Sequence, residues 1–348
     1  MKFIKCNIAF IGVVSLTSIC FLYACGGENK PKVEKAEIEK LPDFTSEQDQ
    51  ALHARASEVF ASVSSIPKDN FSKDLIALGE KLYSEKKLSK NQTISCASCH
   101  KLDNYGVDNL PFSPGDSKEL GGRNSPTSYY AFLHSMQFWD GRAADVEEQA
   151  GGPILNPVEH GMPSEAFVEK RLRDDPTYRT LFAKAFPGQG QAITFKNITK
   201  AIGAFERQLH PMSKFDRWLD GDEKALNTQE KYGLKSFMES GCITCHNGIG
   251  VGGGMMQKFG LFDNYMEFTK SKKEDMGRYD VTKNEADKHF FKVPGLRNVA
   301  KTYPYFHDGS VTKLVDAVLI MSEIQNGSRL KKDDVANIVA FLNTLTME

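Results

Sequence analysis

The chain has 348 residues, with 44 Lys and Arg against 45 Asp and Glu and a formal net charge of -1 at pH 7. That balance excludes the basic surface on which nucleic-acid binding depends. The 40% of hydrophobic residues suffices for packed cores, in a length that fits about two domains.

Lys2 and Lys5 precede the apolar run IAFIGVVSLTSICFLYA, which predicts a signal peptide over residues 1–24 rather than a membrane span. The run ends in Leu22-Tyr23-Ala24-Cys25, which resembles the lipobox of bacterial lipoproteins. Cys25 is therefore expected to be lipidated, anchoring an exported protein on the periplasmic side of a membrane without spanning it. Residues 25–45 contain ENKPKVEKAEIEK, whose charge and low apolar content predict a flexible tether.

Helical periodicity begins in DLIALGEKLYSE, just before ISCASCH. There Cys96, Cys99 and His100 form C-x-x-C-H, the spacing for covalent attachment of a c-type haem with the histidine as fifth iron ligand. Turn-rich stretches such as LPFSPGDSKELGGRNSP follow, then helical patterns in SEAFVEKRLRD, FKNITKAIGAFERQL and TQEKYGLKSFME. A second motif comes next, with Cys242, Cys245 and His246, and DDVANIVAFLNTL closes the chain as a helix. Cys6 and Cys20 fall in the signal segment, so no cysteine is left for a structural disulfide.

The halves echo one another. Gly79 and Tyr83 precede the first motif as Gly233 and Phe237 precede the second, and the glycine would let another helix approach closely. Arg123-Asn124 precedes Phe138-Trp139-Asp140-Gly141 as Arg297-Asn298 precedes Phe306-His307-Asp308-Gly309. Such order predicts an all-α protein of two cytochrome c-like domains, residues 46–212 and 213–348, each wrapping one covalently bound haem.

Met321 lies thirteen residues after Asp308 and is the expected sixth ligand of the second iron, with Met255 and Met256 as competing sulfur donors. The same offset from Asp140 reaches Pro153, flanked by Gly151 and Gly152, none of which can bind iron. Around that gap stand Gln149, Glu159 and His160; an amide and a carboxylate there could orient peroxide and move its protons. By spacing alone, Glu159 is equally a solvated loop residue. Trp218 reads as core, and His53, His134, His210 and His289 as surface or packing residues; His307 is expected near the second haem or the interface.

At these residues the chain resembles the bacterial di-haem cytochrome c peroxidases, from about Ala77 to the C-terminus. The resemblance runs through ISCASCH, GVDN, GRNSPT, FWDGRA, EEQAGGPILNPVE, AFPG, GCITCHNG, GRY, PGLRN, PYFHDG and FLNTLT. It implies reduction of hydrogen peroxide to water with electrons from a small periplasmic cytochrome c or cupredoxin. Electrons would enter at a high-potential haem held by His246 and Met321. They would pass by Trp139 to a low-potential haem held by His100, with Gln149 and Glu159 as the distal pair and Glu159 as acid–base group. The resemblance also implies a homodimer and an interface calcium ion on the Asn124 side chain and the Thr302 and Pro304 carbonyls. One departure stands out. Where the best-known members carry a histidine that caps the first iron, an ungapped reading places Asp116, and the first haem is expected to stay open even when diferric. The alternatives are a membrane-anchored di-haem electron carrier and a di-haem oxidase of a partner protein, which uses tyrosine where this chain has Met321.

Overall fold

The computed structural model describes residues 41–348. The signal segment, Cys25 and all but the end of the tether lie outside the described residues. Helix α1 (Ser46–Val59) starts at a capping box in which Thr45 and Gln48 exchange hydrogen bonds. Helix α2 (Lys73–Tyr83) is capped by Ser72, and α3 (Cys96–Cys99) is the single turn that carries the first motif. Then come α4 (Val146–Leu155), α5 (Glu165–Arg173), α6 (Pro176–Ala185) and α7 (Phe195–Glu206). The second half holds α8 (Lys214–Leu219), α9 (Thr228–Glu239), α10 (Tyr265–Thr269) and α11 (Tyr279–Thr282). It ends with α12 (Leu314–Asn326) and α13 (Lys332–Thr344). Strands β1 (Met256–Lys258) and β2 (Phe290–Lys292) pair antiparallel with Met256 opposite Lys292. The fold is all-α in character, as the periodicity predicts.

Two apolar cores form. The first takes Leu78 and Leu82 from α2, Ile154 from α4, Phe182 from α6, and Ile198 and Ile202 from α7. The second takes Phe215 and Trp218 from α8, Leu234 and Phe237 from α9, and Ile338 and Phe341 from α13. Helix α1 differs from the sequence reading, which grouped it with the first half: its buried Leu52 and Ala56 pack in the second core. Polar contacts hold it there, with His53 Nε2 3.2 Å from the Trp218 carbonyl and Lys231 paired to Asp49.

The repeat is built in three dimensions. A Cβ on Gly79 would fall 1.9 Å from the Ala201 carbonyl oxygen, and one on Gly233 would fall 1.9 Å from that of Asn337. Hence α2 crosses α7, and α9 crosses α13, at distances only a missing side chain permits. One turn on, the Tyr83 hydroxyl donates to the His100 carbonyl at 2.7 Å, and the Phe237 ring lies 6.5 Å from that of His246. The Phe-Trp-Asp-Gly and Phe-His-Asp-Gly turns also match. Phe138 and Phe306 both take positive φ (64° and 70°), and Asp140 and Asp308 each accept from the amide two residues on, at 3.2 and 3.1 Å.

Candidate active site and its haem-binding frame

Cys96 and His100 are joined by a backbone hydrogen bond of 2.9 Å from His100 N to the Cys96 carbonyl, and the second motif repeats the bond from His246 N to Cys242 at 2.9 Å. This places both cysteines and the histidine of each motif on one turn. All four thiols are unpaired. Burial pushes Cys96 up to about 12 and Cys242 up to about 11, so neither is the thiolate that redox or nucleophilic chemistry requires. Burial likewise lowers His100, and brings His246 down to about 4, keeping both imidazoles in the neutral form that ligates metal. The Nδ1 of each is buried without a partner. Neutral imidazoles flanked by unpaired cysteines, the first set beside a large void, fit covalently attached haem.

That void is a cavity of about 1110 Å³ bordered by Cys96, Cys99 and His100. It lies just above the usual size range of ligand pockets. Gln149, Pro153, Glu159 and His160 line it as well, so the residues that spacing placed around the open position do share the chamber of the first motif. Glu159 sits in a turn after α4, and the Asn156 side-chain amide donates to its Oε1 at 2.7 Å. Gln149 lies within α4, where Pro153 cannot donate to its carbonyl. The ring of His160 is committed elsewhere, with Nδ1 3.0 Å from the Leu88 carbonyl.

Pro153 and Met321 occupy equivalent places: each is the eighth residue of its helix, α4 and α12. Helix α12 ends against the second motif, where Asn326 Nδ2 donates to the Ser240 carbonyl at 2.8 Å. The Met256 sulfur lies beside Gly141, where an added Cβ would fall 3.0 Å from it. Met255 lends its carbonyl to Val293 N at 2.9 Å.

Asp116 is 5% exposed and its carboxylate is fully engaged. Asn91 N donates to one oxygen at 2.7 Å, and Thr93 donates to the other from N at 3.3 Å and from Oγ1 at 2.5 Å. Its own N donates to the Glu159 carbonyl at 2.8 Å, tying this loop to the segment of Glu159.

Trp139 borders the same cavity; its Nε1 donates to the Asn124 carbonyl at 2.8 Å and its ring meets that of His307 edge-on at 6.4 Å. His307 is buried among Phe291, Phe259 and Tyr265 with Nε2 unpartnered. Asn124 Nδ2 donates to the Leu110 carbonyl at 2.8 Å, which leaves its oxygen as the free end. Asn109 holds the carbonyls of Lys301 and Tyr303, whereas no hydrogen bond among the described residues ends on those of Thr302 and Pro304. Trp218 is core, fully buried.

Two features escaped the sequence reading. Glu206, at the end of α7, lines the cavity without a hydrogen bond to its carboxyl among the described residues. Burial, then the Glu147 charge, push it up to about 8. Its position four residues after the core Ile202 was the available signal. The second is a buried lysine, Lys292, against His134; nothing in the local pattern distinguishes it from a solvated strand residue.

Two haem-attachment motifs on two helical cores define a di-haem c-type protein. Comparison with known proteins is more specific. A profile of di-haem cytochrome c peroxidase matches residues 73–224. The chain is 45% identical to cytochrome c551 peroxidase of Pseudomonas aeruginosa, over 86% of this chain and 87% of that one. It is 45% identical to cytochrome c551 peroxidase of Nitrosomonas europaea, over 84% and 85% of the two chains. Among solved structures, a MauG-like protein associated with microbial copper homeostasis superposes with a TM-score of 0.69 at 30% identity, over 81% of this chain and 92% of that one. The chain belongs to the di-haem cytochrome c peroxidase family. It is a peroxidase, an oxidoreductase carrying two haem c groups.

Proposed function

We propose that the chain reduces hydrogen peroxide to water at the first haem site, with electrons from a small periplasmic cytochrome c or cupredoxin that enter at the second. The observation that carries this is the contrast between equivalent helical positions: sulfur at Met321, and a proline at Pro153 beside a chamber shared by His100, Gln149 and Glu159. Cys96 and Cys99 would hold the first haem with His100, and Cys242 and Cys245 the second with His246 and Met321. When bound, haem iron supplies the electrons that break the O–O bond.

The chain's own residues supply the proton chemistry. Asn156 fixes one oxygen of Glu159 and leaves Oε2 as the base. Glu159 accepts the proton of one peroxide oxygen and returns it to the departing one. The Gln149 amide orients the pair, and the packed rings of Trp139 and His307 bridge the halves. The free Asn124 oxygen and the unengaged carbonyls of Thr302 and Pro304 suit calcium, a hard cation. Lipidation at Cys25 and homodimerisation complete the reading. No helix among the described residues is long and apolar enough to cross a membrane.

The test is steady-state oxidation of reduced small cytochromes and cupredoxins by peroxide, with cyanide added to the diferric protein. Turnover with at least one donor, and a spectrum that cyanide changes, are expected. Two irons indifferent to cyanide and peroxide would make the protein an electron carrier instead.

A further inference from the structure

Lys292 closes β2 with only 5% of its surface exposed. An ammonium has three protons and no lone pair, so Lys292 donates to His134 Nδ1, 3.0 Å away. That fixes Nδ1 as the acceptor and puts the imidazole proton on Nε2. Burial, then the lysine's charge, hold His134 well below its ordinary pKa, and the ring is neutral. The ring is seated by close approach: a Cβ on Gly253 would fall 2.1 Å from it, and one on Gly295 would fall 2.5 Å from its Nε2.

No acid answers this cation. Burial alone sets the Lys292 pKa, at about 8, and no carboxylate of the described residues offsets it. Yet Lys292 and His134 both line the cavity of the first motif, and Lys292 N donates to the Trp139 carbonyl at 2.7 Å. A buried ammonium without a counter-ion costs several kcal/mol. The porphyrin implied by the two motifs carries two propionate carboxylates, and an anion of that kind must end somewhere in the chamber wall.

We propose that the Lys292 ammonium is the seat of a haem propionate, with His134 as the positioning residue that aims it. The inference rests on the di-haem reading above and adds a ligand-binding residue pair to it. A cation paired to a propionate keeps that carboxylate's charge from stabilising ferric iron, so its loss lowers the potential of the haem concerned. The seat lies between the halves, and the propionate can come from either haem.

The experiment compares the holoprotein with Lys292→Met and Lys292→Arg by resonance Raman of the propionate bending bands and by spectroelectrochemical titration. Both are read diferric and half-reduced to tell the haems apart. In Lys292→Met the propionate bands of one haem should move. Its equilibrium constant for reduction should fall about tenfold, or 59 mV for a one-electron couple, with Lys292→Arg close to the parent. Unchanged bands and potentials at both haems overturn the proposal. Should Lys292→Met fail to take up haem, His134→Leu should move the same bands to a smaller extent, and an unaltered spectrum there overturns it equally. None of these readouts needs peroxide turnover. A shift in an inactive holoprotein would refute the peroxidase reading alone, and normal turnover without a shift would refute the propionate seat alone.

Discussion

Asp116→Asn tests whether the first chamber is held open by a carboxylate that has no freedom to move. The substitution keeps shape and one acceptor, so Thr93 retains a partner. It also turns an amide NH2 toward the Asn91 N–H, now 2.7 Å from an accepting oxygen. Losing one charge-assisted bond, weakening the Thr93 pair and facing two donors should together cost about 2–4 kcal/mol. Burial alone would raise the Asp116 carboxyl, but hydrogen bonds from Thr93, Asn91 and Ser89 outweigh it and leave the pKa lowered. A carboxylate lowered in the folded state stabilises the protein above its unfolded pKa of about 3.9, and that stability is lost as pH falls through the folded value. Denaturant unfolding of the diferric holoprotein should therefore show the full difference at pH 7 and a shrinking one below about pH 4. The parent should also bind cyanide at the first haem without prior reduction, because every oxygen of Asp116 is engaged elsewhere. Equal unfolding midpoints at pH 7, or a low-spin bis-histidine EPR signal from the first haem, would refute this reasoning.

Glu159→Gln should lower peroxide turnover by about 10²–10⁴-fold while leaving both haem spectra intact; unchanged turnover removes Glu159 from the acid–base role. Met321→Ala should lower the potential of the second haem and slow donor-driven turnover. An unaltered potential would pass the ligand role to Met255 or Met256. Gly233→Ala sets a Cβ 1.9 Å from a carbonyl oxygen of α13. Overpacking should destabilise the second core by about 1–3 kcal/mol or more, measured as an earlier loss of the His246–haem band on denaturation, and parent-like unfolding would show that the helices can part.

What the sequence made legible was whatever follows from local spacing. The C-x-x-C-H turns, the crossing glycines Gly79 and Gly233, and the matched Asp140 and Asp308 turns each depend on residues a few positions apart, and they stand where the pattern put them. The docking of α1 was not legible, because its contacts with Trp218 and Lys231 span more than 160 positions and its own pattern cannot choose between two similar cores. Lys292 is unmarked in the sequence; only the pairing of β2 and the arrival of His134 bury it. Asp116 could be aligned to a ligand position, but the donors that hold it, on Asn91 and Thr93 among others, appear only once the loop has folded.

The two helices after the Asp-Gly turns carry the deepest consequence of duplication. Helices α4 and α12 occupy the same place in their repeats, and the eighth residue of each is Pro153 in one and Met321 in the other. A proline at that point in α4 has no N–H to donate, so the Gln149 carbonyl lacks its helical partner, and the helix ends two residues later at Leu155. The chain then turns through Asn156 and brings Glu159 into the chamber within hydrogen-bond reach of that same asparagine. The proline thus leaves α4 without the sulfur that α12 carries at the equivalent position, while the turn after Leu155, held by its own bond from Glu159 N to the Asn156 carbonyl at 3.0 Å, sets Glu159 beside the chamber. Restoring methionine at position 153 alone should therefore not rebuild a closed haem, because the turn that follows would still hold Glu159, not a continuing helix, against the open face.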